Sequence, residues 1–483
     1  MKSSLLFALP ILFLAVLSPQ AESGVLRVPG QYASIQLALG LAAAGDTVAV
    51  SPGLFNEHSL VVPSDISLLG SPSDPSAVVI DAQGQGPVLV LSGCSSSTRV
   101  SGFTLTGGHS IESGGAVQCD VYSTPTLEDL VITGNHADSC AGGILISFHS
   151  SPELNRIMLQ SNSADHYGGG IYMTNYCYPS LVDVHFIDNQ SVELGGGLCC
   201  RKNVDPHLED CTFDGNQCPG GLGGGAYFYS RTSPTLVRCS FSSNESYSGG
   251  GIFADGVFST CTLNDVHFEG NHATYAGGGL AAHDNPVDVT DVTFRDNHAG
   301  QYGGALYLQE CGGTLTNVVF WSNYCDQYGG ALFCWQSSPT ITATTFASNG
   351  AASSGGSVYC RNMSHPEFVS SILAFSTSGQ AVYCEDSFGV CNPTLECCDV
   401  FGNVAGDWTG CIESYASVSG NLTADPVFCG LELGDLRIDV NSPCSPDVNV
   451  ECGLIGAQGT GCDSPVAQMR SWGMIKAMYR QRL

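Results

Sequence analysis

One phrase recurs at a nearly fixed interval through the middle of the chain, and it constrains the fold more than any other feature. An apolar residue, usually Phe, stands three positions before an asparagine, and a glycine pair or triplet ends seven to nine residues after it. The asparagines follow one another in steps of 26 to 28 residues, at Asn135, Asn162, Asn189, Asn216, Asn244, Asn271, Asn297, Asn323 and Asn349. A period held this closely indicates a solenoid of stacked repeats.

A unit of this length cannot bury its own apolar face, but it can bury that face against copies of itself. Each unit holds short apolar runs, such as Val289–Phe294, Ala305–Leu308 and Gly313–Val318. Strands from successive units would pair in parallel about 4.8 Å apart. The pattern therefore predicts an all-β coil with the Phe positions stacked inside. The Asn positions are predicted to form a structural ladder of side-chain amides at a turn.

The balance of charge excludes one class of partner. The 483 residues include 15 Lys and Arg against 44 Asp and Glu, which is a formal net charge of −29. Such a chain cannot neutralise many phosphates, so we predict no nucleic acid partner. The same charge favours solubility and attracts cations.

Residues 1–21 have the pattern of a secretory signal peptide. Lys2 precedes the apolar run Leu5–Leu17, and small residues follow it. The run is too short to span a bilayer and no later segment is apolar enough, so we expect no transmembrane segment in the mature chain. We predict a secreted or cell-surface protein, in which the 23 Cys can form disulfides.

The start of the mature chain is predicted to close one end of the solenoid. A helix is expected over Ile35–Ala44, capped by Ser34 and stopped by Gly45. It would cover apolar side chains and unpaired strand edges at the open end of the core. This opening, with Tyr32–Gln36 and Pro52–Glu57, resembles the N-terminal cap of the pectin-lyase-like right-handed parallel β-helix family. The resemblance implies an all-β, single-stranded right-handed parallel β-helix of about a dozen coils with an N-terminal capping helix.

The repeat itself carries a second resemblance. Its two halves, Phe-x-x-Asn and Gly-Gly followed by Ala, Ile or Leu, resemble the repeats of chlamydial polymorphic outer-membrane proteins over about residues 103–360. This similarity implies a surface protein. Because the pattern of a transporter does not follow the last cysteine, the chain is expected to resemble the exported passenger of those proteins without its transporter.

The organisation of the chain follows from these patterns. We divide it into a signal peptide (1–21), an N-terminal cap with the first coils (24–102), a repeat β-helix (103–410), a last coil with a disulfide-rich closing segment (411–462) and a tail (463–483). Cys429, Cys444, Cys452 and Cys462 cluster in the closing segment, where disulfides could close the last coil. Cys211 and Cys239 share a repeat position one coil apart. They are expected either to form a disulfide or to stack as a ladder of free thiols.

The pectin-lyase-like resemblance implies an alternative function, that of a polysaccharide lyase or glycoside hydrolase. Such enzymes need paired carboxylates, or bound calcium beside a basic residue. The sequence has no Asp-Asp pair, and the basic residues of the repeat are scattered. We therefore predict that the chain is not an enzyme and has no catalytic residues, no metal site and no cofactor. A site assembled from stacked coils stays open as the alternative.

Two kinds of side chain beside the repeat motif are candidates for ligand contact. Tyrosines that precede the glycines are expected to form an aromatic stripe, at Tyr167, Tyr247, Tyr275, Tyr302 and Tyr328. An exposed stripe could stack on sugar rings, whereas a covered one would only stabilise the coil. His136, His272 and His298 each follow a ladder asparagine. We interpret them as exposed turn residues, although His272 and His298 would lie close enough to share a metal ion.

These observations predict an exported β-helix scaffold for adhesion or carbohydrate binding. Its partner is expected to be a carbohydrate or a protein of a host or cell surface. The function rests on the resemblance and on the lack of a catalytic pattern, because a fold alone does not specify an activity.

Overall fold

The chain winds into a parallel solenoid. A computed structural model describes residues 23–256 and 259–462, so the predicted signal peptide 1–21 and tail 463–483 lie outside the described residues. Successive coils pair their strands in parallel and form three long sheets. The protein is a right-handed parallel β-helix with very little helix, as the sequence predicts.

One repeat shows how the chain passes through the three sheets. Leu280–His283 belongs to a 13-stranded sheet, the middle sheet. Val287–Thr290 and Thr293–Arg295 belong to a 25-stranded sheet, the wide sheet, and His298–Ala299 belongs to a 10-stranded sheet, the narrow sheet. The chain then returns to the middle sheet at Leu306–Gln309, one layer further along the coil.

The strands of each sheet follow one another in chain order. The middle sheet contains Leu60–Val61, Leu89–Ser92, Val117–Asp120, Ile144–Ser147, Ile171–Thr174, Leu198–Arg201, Ala226–Tyr229, Ile252–Asp255, Leu280–His283, Leu306–Gln309, Leu332–Trp335, Val358–Arg361 and Val382–Glu385. The narrow sheet contains His109–Ser110, His136–Ala137, Ser163–Ala164, Gln190–Ser191, Gln217–Leu222, Glu245–Ser248, His272–Ala276, His298–Ala299, Tyr324–Cys325 and Gly350–Ala351. The wide sheet contains Val25–Val28, Thr47–Val50, Gly53–Phe55, Ser67–Leu69, Val78–Asp81, Arg99–Thr106, Thr126–Thr133, Glu153–Gln160, Ser180–Ile187, His207–Glu209, Thr212–Asp214, Thr235–Val237, Ser240–Ser242, Cys261–Asn264, His267–Glu269, Val287–Thr290, Thr293–Arg295, Gly313–Thr316, Val319–Trp321, Thr340–Thr342, Thr345–Ala347, Glu367–Val369, Ile372–Ala374, Thr394–Glu396 and Asp399–Phe401.

A column of phenylalanines fills the interior of the coil. Its members are fully buried and stand one repeat apart, at Phe186, Phe213, Phe241, Phe268, Phe294, Phe320 and Phe346. Neighbouring rings are nearly parallel, with centroids 4.3 to 5.1 Å apart. Because a buried Phe side chain contributes about 1.5–3 kcal/mol, the column stabilises every coil that it crosses.

The asparagines of the repeat lie buried at the turn between the wide and narrow sheets. From Asn135 to Asn323, each side-chain Nδ2 donates to Oδ1 of the asparagine one coil further on, over 2.9 to 3.1 Å. From Asn162 to Asn349, each Oδ1 also accepts the backbone N–H of the preceding asparagine, as Asn244 Oδ1 does from Asn216 at 3.0 Å. The amides thus satisfy one another and the backbone of the turn.

The capping helix is shorter than the sequence predicts. It spans Ile35–Leu41 and not Ile35–Ala44. Ser34 caps it by accepting a hydrogen bond from the backbone of Leu37, and Ile35 packs into the core. Ala42 is already extended, and the Asp46 carboxylate accepts the N–H of Ala43 at 2.8 Å. This carboxylate offers the backbone a partner outside the helix, so the helix ends before Gly45 is reached.

Disulfides concentrate at the C-terminal end of the coil. Cys384–Cys411, Cys397–Cys452 and Cys429–Cys462 are bonded, and Phe428–Gly430, Asp435–Asp439 and Thr460–Cys462 form a small sheet there. Short 3₁₀ helices lie at Pro75–Ala77, Gly410–Tyr415 and Leu431–Leu433. The expectation that Cys444 joins a disulfide is wrong, because its thiol is free and lies 3.4 Å from the Asp399 carboxylate. Cys211 and Cys239 are likewise free and buried.

The stability of the closing segment is expected to depend on pH through Asp399. Its carboxyl is buried, and burial raises its pKa from 3.8 to about 6. The folded chain therefore holds this proton more tightly than the unfolded chain. The contribution of Asp399 to stability is therefore full below about pH 4, and we expect it to fall by about 2–3 kcal/mol as the pH rises through 6.

Urea unfolding at several pH values checks this expectation. Asp399→Asn removes the titration and should flatten the stability profile between about pH 4 and pH 6. Asp447→Asn, at an exposed residue of the same closing segment, is the control that should keep the slope. An unchanged slope in Asp399→Asn would contradict the assignment.

Candidate functional site

The corner between the middle and wide sheets displays side chains to solvent at regular spacing. Two successive residues there adopt a left-handed backbone in several coils, as in Asn175 (φ 65°) with Tyr176 (φ 62°) and Lys202 (φ 66°) with Asn203 (φ 61°). For residues with a Cβ this conformation costs roughly 1–2 kcal/mol each. The bend stacks the second residue of each pair into one outer column, called the corner column, which consists of Tyr122, His149, Tyr176, Asn203 and Arg231.

The first three members of the corner column form an exposed aromatic stack. The Tyr122 and His149 rings have centroids 5.0 Å apart, and those of His149 and Tyr176 are 5.2 Å apart. Their planes are within 9° of parallel. Tyr122 is 68% and Tyr176 47% exposed. Among the described residues no ring covers the second face of Tyr176, which turns toward the coil that holds Asn203.

A cleft of about 480 Å³ opens where the aromatic stack ends. Its walls come from four successive coils, and we call it the corner cleft. It is lined by Asn175, Tyr176, Lys202, Asn203, Tyr229, Ser230, Arg231 and Gly256. None of these residues carries a carboxylate. The lining therefore offers an aromatic ring, amides, a hydroxyl and two cations.

The cations at this cleft differ from the other basic residues of the protein. Ten of the chain's 15 Lys and Arg lie in the described part, and six of these have a carboxylate oxygen within 4.0 Å: Arg99, Arg156, Arg238, Arg295, Arg361 and Arg437. Four have none among the described residues, and three of the four, Arg201, Lys202 and Arg231, lie at the corner cleft or directly beside it. In an acidic chain, unpaired cations at one place create a local site for an anion.

Arg201 is held beside the cleft by aromatic rings. Its guanidinium carbon lies 4.7 Å from the centroid of Tyr167 and 5.6 Å from that of Tyr229. These are cation–π distances. Its Nε is buried and has no hydrogen-bond partner among the described residues. Two coils further along the same column, beyond Tyr229, the Asp255 carboxylate contacts His283 at 3.2 Å.

The five tyrosines of the expected stripe fall into two groups. Tyr247, Tyr275, Tyr302 and Tyr328 form a run with ring centroids 5.1 to 6.0 Å apart. Tyr167 stands apart, because Leu194 and Leu222 occupy its position in the next two coils. Tyr302 and Tyr328 lie partly buried over the aromatic rings of Phe333 and Tyr359. The run is therefore mainly a packing layer, and its exposed member is Tyr247.

The histidines that follow the ladder asparagines also form two groups. His272 and His298 stack with centroids 5.1 Å apart and planes 14° from parallel. His136 instead meets His109 of the preceding coil and the Asp138 carboxylate. A hydrogen bond from His109 lowers the pKa of Asp138 below its usual value. The sequence pattern did not reveal His109, because Gly108 stands where the asparagine of that repeat would be.

The corner cleft was also not found from the repeat motif. The residues that line the cleft are of different types. The repeating Phe, Asn and Gly positions therefore do not identify them. One signal was present, since His149, Tyr176, Asn203 and Arg231 each follow the last glycine of their repeat by six positions. That offset places aromatic, amide and basic groups on one column once the coils are stacked.

Comparisons with known proteins agree with this architecture. A family model for the right handed beta helix region matches residues 115–287, and one for the Chlamydia polymorphic membrane protein repeat matches residues 291–309. No curated protein matches the chain. The chain is a right-handed parallel β-helix protein. More particularly, it carries repeats of the polymorphic membrane protein type, and these are typical of a surface or outer-membrane family.

Three solved structures are similar to the chain at low identity and low TM-score. The A-module of the mannuronan C-5 epimerase AlgE6 of Azotobacter vinelandii is 12% identical, with 81% of this chain and 96% of that chain covered and a TM-score of 0.37. A mannuronic acid specific polysaccharide family 6 lyase from human gut microbiota is 12% identical, with 85% and 93% covered and a TM-score of 0.34. The family 28 exopolygalacturonase of Yersinia enterocolitica is 10% identical, with 80% and 79% covered and a TM-score of 0.29.

In the part of the chain that the structure describes, no helix combines the length and apolar character needed to cross a membrane. The three disulfides are typical of an extracellular environment.

Proposed function

We propose that this protein is a surface-exposed or secreted β-helix scaffold that binds an acidic carbohydrate in the corner cleft. The observation that carries the proposal is the grouping of three unpaired cations beside an exposed aromatic stack, in a chain whose net charge is −29. The surface type of the repeats and the disulfides support the location.

The lining of the corner cleft suits a sugar that carries a carboxylate or sulfate. The second face of Tyr176 can stack on the apolar face of a pyranose ring. Asn175 and Asn203 present amides that can bond to hydroxyls in either direction. Lys202 and Arg231 supply charge-assisted hydrogen bonds to an acidic group. A volume of about 480 Å³ lies within the usual range for ligand sites and fits one or two sugar units of a longer polymer.

Removing the two cations of the cleft should abolish most of this binding. The variant with both Lys202→Ala and Arg231→Ala is expected to lose about 10–100-fold in affinity for an acidic oligosaccharide, because each charge-assisted bond contributes about 1 kcal/mol or more. Tyr176→Ala should cost about 3–10-fold, through the lost stacking. The ligand would be chosen on an array of uronic, sulfated and neutral glycans, and affinity measured by calorimetry.

Arg27→Ala is the matched control, since Arg27 is exposed, has no carboxylate within 4.0 Å among the described residues and lies far along the chain from the cleft. It changes the net charge by one unit without touching the site. A blank array, or equal affinities in the cleft variants and Arg27→Ala, would refute the proposal. Depolymerisation of a bound acidic polymer during the same incubation would instead favour the polysaccharide lyase or hydrolase.

A further inference from the structure

A second cluster of polar side chains lies on the narrow sheet, apart from the corner cleft. His109 and His136 open the first two strands of that sheet and pair in register. Their Nε2 atoms lie 2.7 Å and 3.3 Å from the same oxygen, Oδ1 of Asp138. One ligand atom from each of the three residues lies within 4.8 Å of the other two. Two imidazoles and one carboxylate therefore converge on one point at the surface.

The donor set matches the chemistry of zinc and similar divalent transition metals. Such ions bind imidazole nitrogen at about 2.0–2.1 Å and carboxylate oxygen at about 2.0–2.2 Å, usually with tetrahedral geometry. Ligand atoms around a tetrahedral ion are then about 3.4 Å apart. The two nitrogen–oxygen separations of 2.7 and 3.3 Å are slightly shorter than that value, so small side-chain rotations suffice to admit an ion.

Neighbouring side chains hold this arrangement in place. Ser163 Oγ lies 2.9 Å from Nδ1 of His136. With the proton on Nδ1, this hydrogen bond leaves the Nε2 lone pair free for a metal, which is the usual role of such a partner. Asp165 Oδ1 lies 3.9 Å from the same Nε2, and this oxygen can serve as the fourth ligand. The side chains of His109, His136 and Asp138 are between 38% and 44% exposed, so an ion can enter from solvent.

The other histidine pair of the same sheet provides an internal comparison. His272 and His298 are also one coil apart, but their rings stack in parallel and their carboxylate contacts diverge. His298 Nε2 reaches Asp326 at 3.0 Å, whereas His272 Nδ1 lies 3.9 Å from Glu245 on the opposite side. The position of Asp138 is occupied by Thr274 and Gly300 in those two coils. Stacked histidines alone therefore do not form a metal-ligand cluster. The cluster at His109 and His136 also requires the carboxylate of Asp138.

We propose that His109, His136 and Asp138 form a binding site for one divalent transition-metal ion of the zinc class, with Asp165 as the fourth ligand. This site was not expected from the sequence, which predicted no metal ligands. It is independent of the carbohydrate proposal, since no residue is shared between the two sites.

Titration of the full chain with Zn²⁺, and separately with Co²⁺, tests the site. We expect one equivalent of metal to bind at pH 7.5. Bound Co²⁺ should show visible d–d bands without the near-ultraviolet band of thiolate ligation. His136→Ala should lower the affinity at least about 100-fold. Asp138→Asn should lower it about 10–100-fold, and Ser163→Ala about 10-fold as a positioning residue.

The variant with His272→Ala and His298→Ala is the matched control and should bind as the wild type does. Circular dichroism of each variant checks that the coil is intact, and Asp138→Asn keeps the test decisive if His136→Ala does not fold. The proposal is overturned if the wild type binds neither ion, or if His136→Ala and Asp138→Asn bind as tightly as the control. It is also overturned if cobalt gives a thiolate band, because the 17 free cysteines would then be the ligands.

Discussion

Asn216→Ala is expected to lower the free energy of unfolding by about 2–6 kcal/mol. The Asn216 side chain donates to the carbonyl of Phe186 at 2.9 Å and to Oδ1 of Asn244 at 3.0 Å. Its own Oδ1 accepts the backbone and side-chain N–H groups of Asn189, each at 3.0 Å. Alanine would leave the backbone N–H of Asn189 and the carbonyl of Phe186 without these partners. Each unsatisfied buried group costs about 1–3 kcal/mol.

Urea unfolding followed by far-ultraviolet circular dichroism measures this effect. Gln190→Ala is the control, because Gln190 lies next to the ladder but is exposed, and it should change stability by less than about 0.5 kcal/mol. In a solenoid each coil contacts only its neighbours, so a broadened transition is part of the expected result. Equal midpoints for the two variants would show that water or backbone rearrangement replaces the amide.

Gly250→Ala is expected to cost more than about 4 kcal/mol, or to prevent the surrounding coils from forming. A Cβ on Gly250 would lie 2.3 Å from the carbonyl oxygen of Gly278 and 2.6 Å from that of His272. Both contacts are with backbone in the adjacent coil, which cannot move aside without breaking the sheet ladder. The glycine is needed here because the coils approach each other too closely for any side chain.

Gly220→Ala is the matched control for this substitution. Gly220 also lies in the narrow sheet region, but a Cβ there meets no atom within 4 Å and its backbone is not left-handed. Alanine should leave stability unchanged or raise it by up to about 1 kcal/mol, since it restricts the unfolded chain. Thermal unfolding and limited proteolysis compare the two variants. A Gly250→Ala protein as stable as the control would mean that the coils can separate at this corner.

The regular part of the fold could be read from the sequence because a solenoid translates a period along the chain into columns in space. Residues one repeat apart must lie one above another, so Phe186 to Phe346 could be placed inside before any coordinates were known. The end of the capping helix could not be predicted in this way. Ala42 and Ala43 favour helix by composition, and the competing Asp46 carboxylate acts only once the chain has turned back. The disulfide partners of the closing segment depend in the same way on an irregular path without a period.

The sequence by itself determined the architecture of this protein: a parallel β-helix whose apolar, asparagine and glycine positions repeat at 26 to 28 residues. Only the tertiary structure decided which variable side chains meet. Arg201 and Lys202 come from one repeat and Arg231 from the next. The spacing of residues along the chain does not show whether a carboxylate lies within reach of their side chains. His109 joins His136 only through the stacking of two coils, one of which lacks the marker asparagine. The physical reason is that the period specifies the columns, whereas charge and metal chemistry depend on which residues occupy neighbouring places in them.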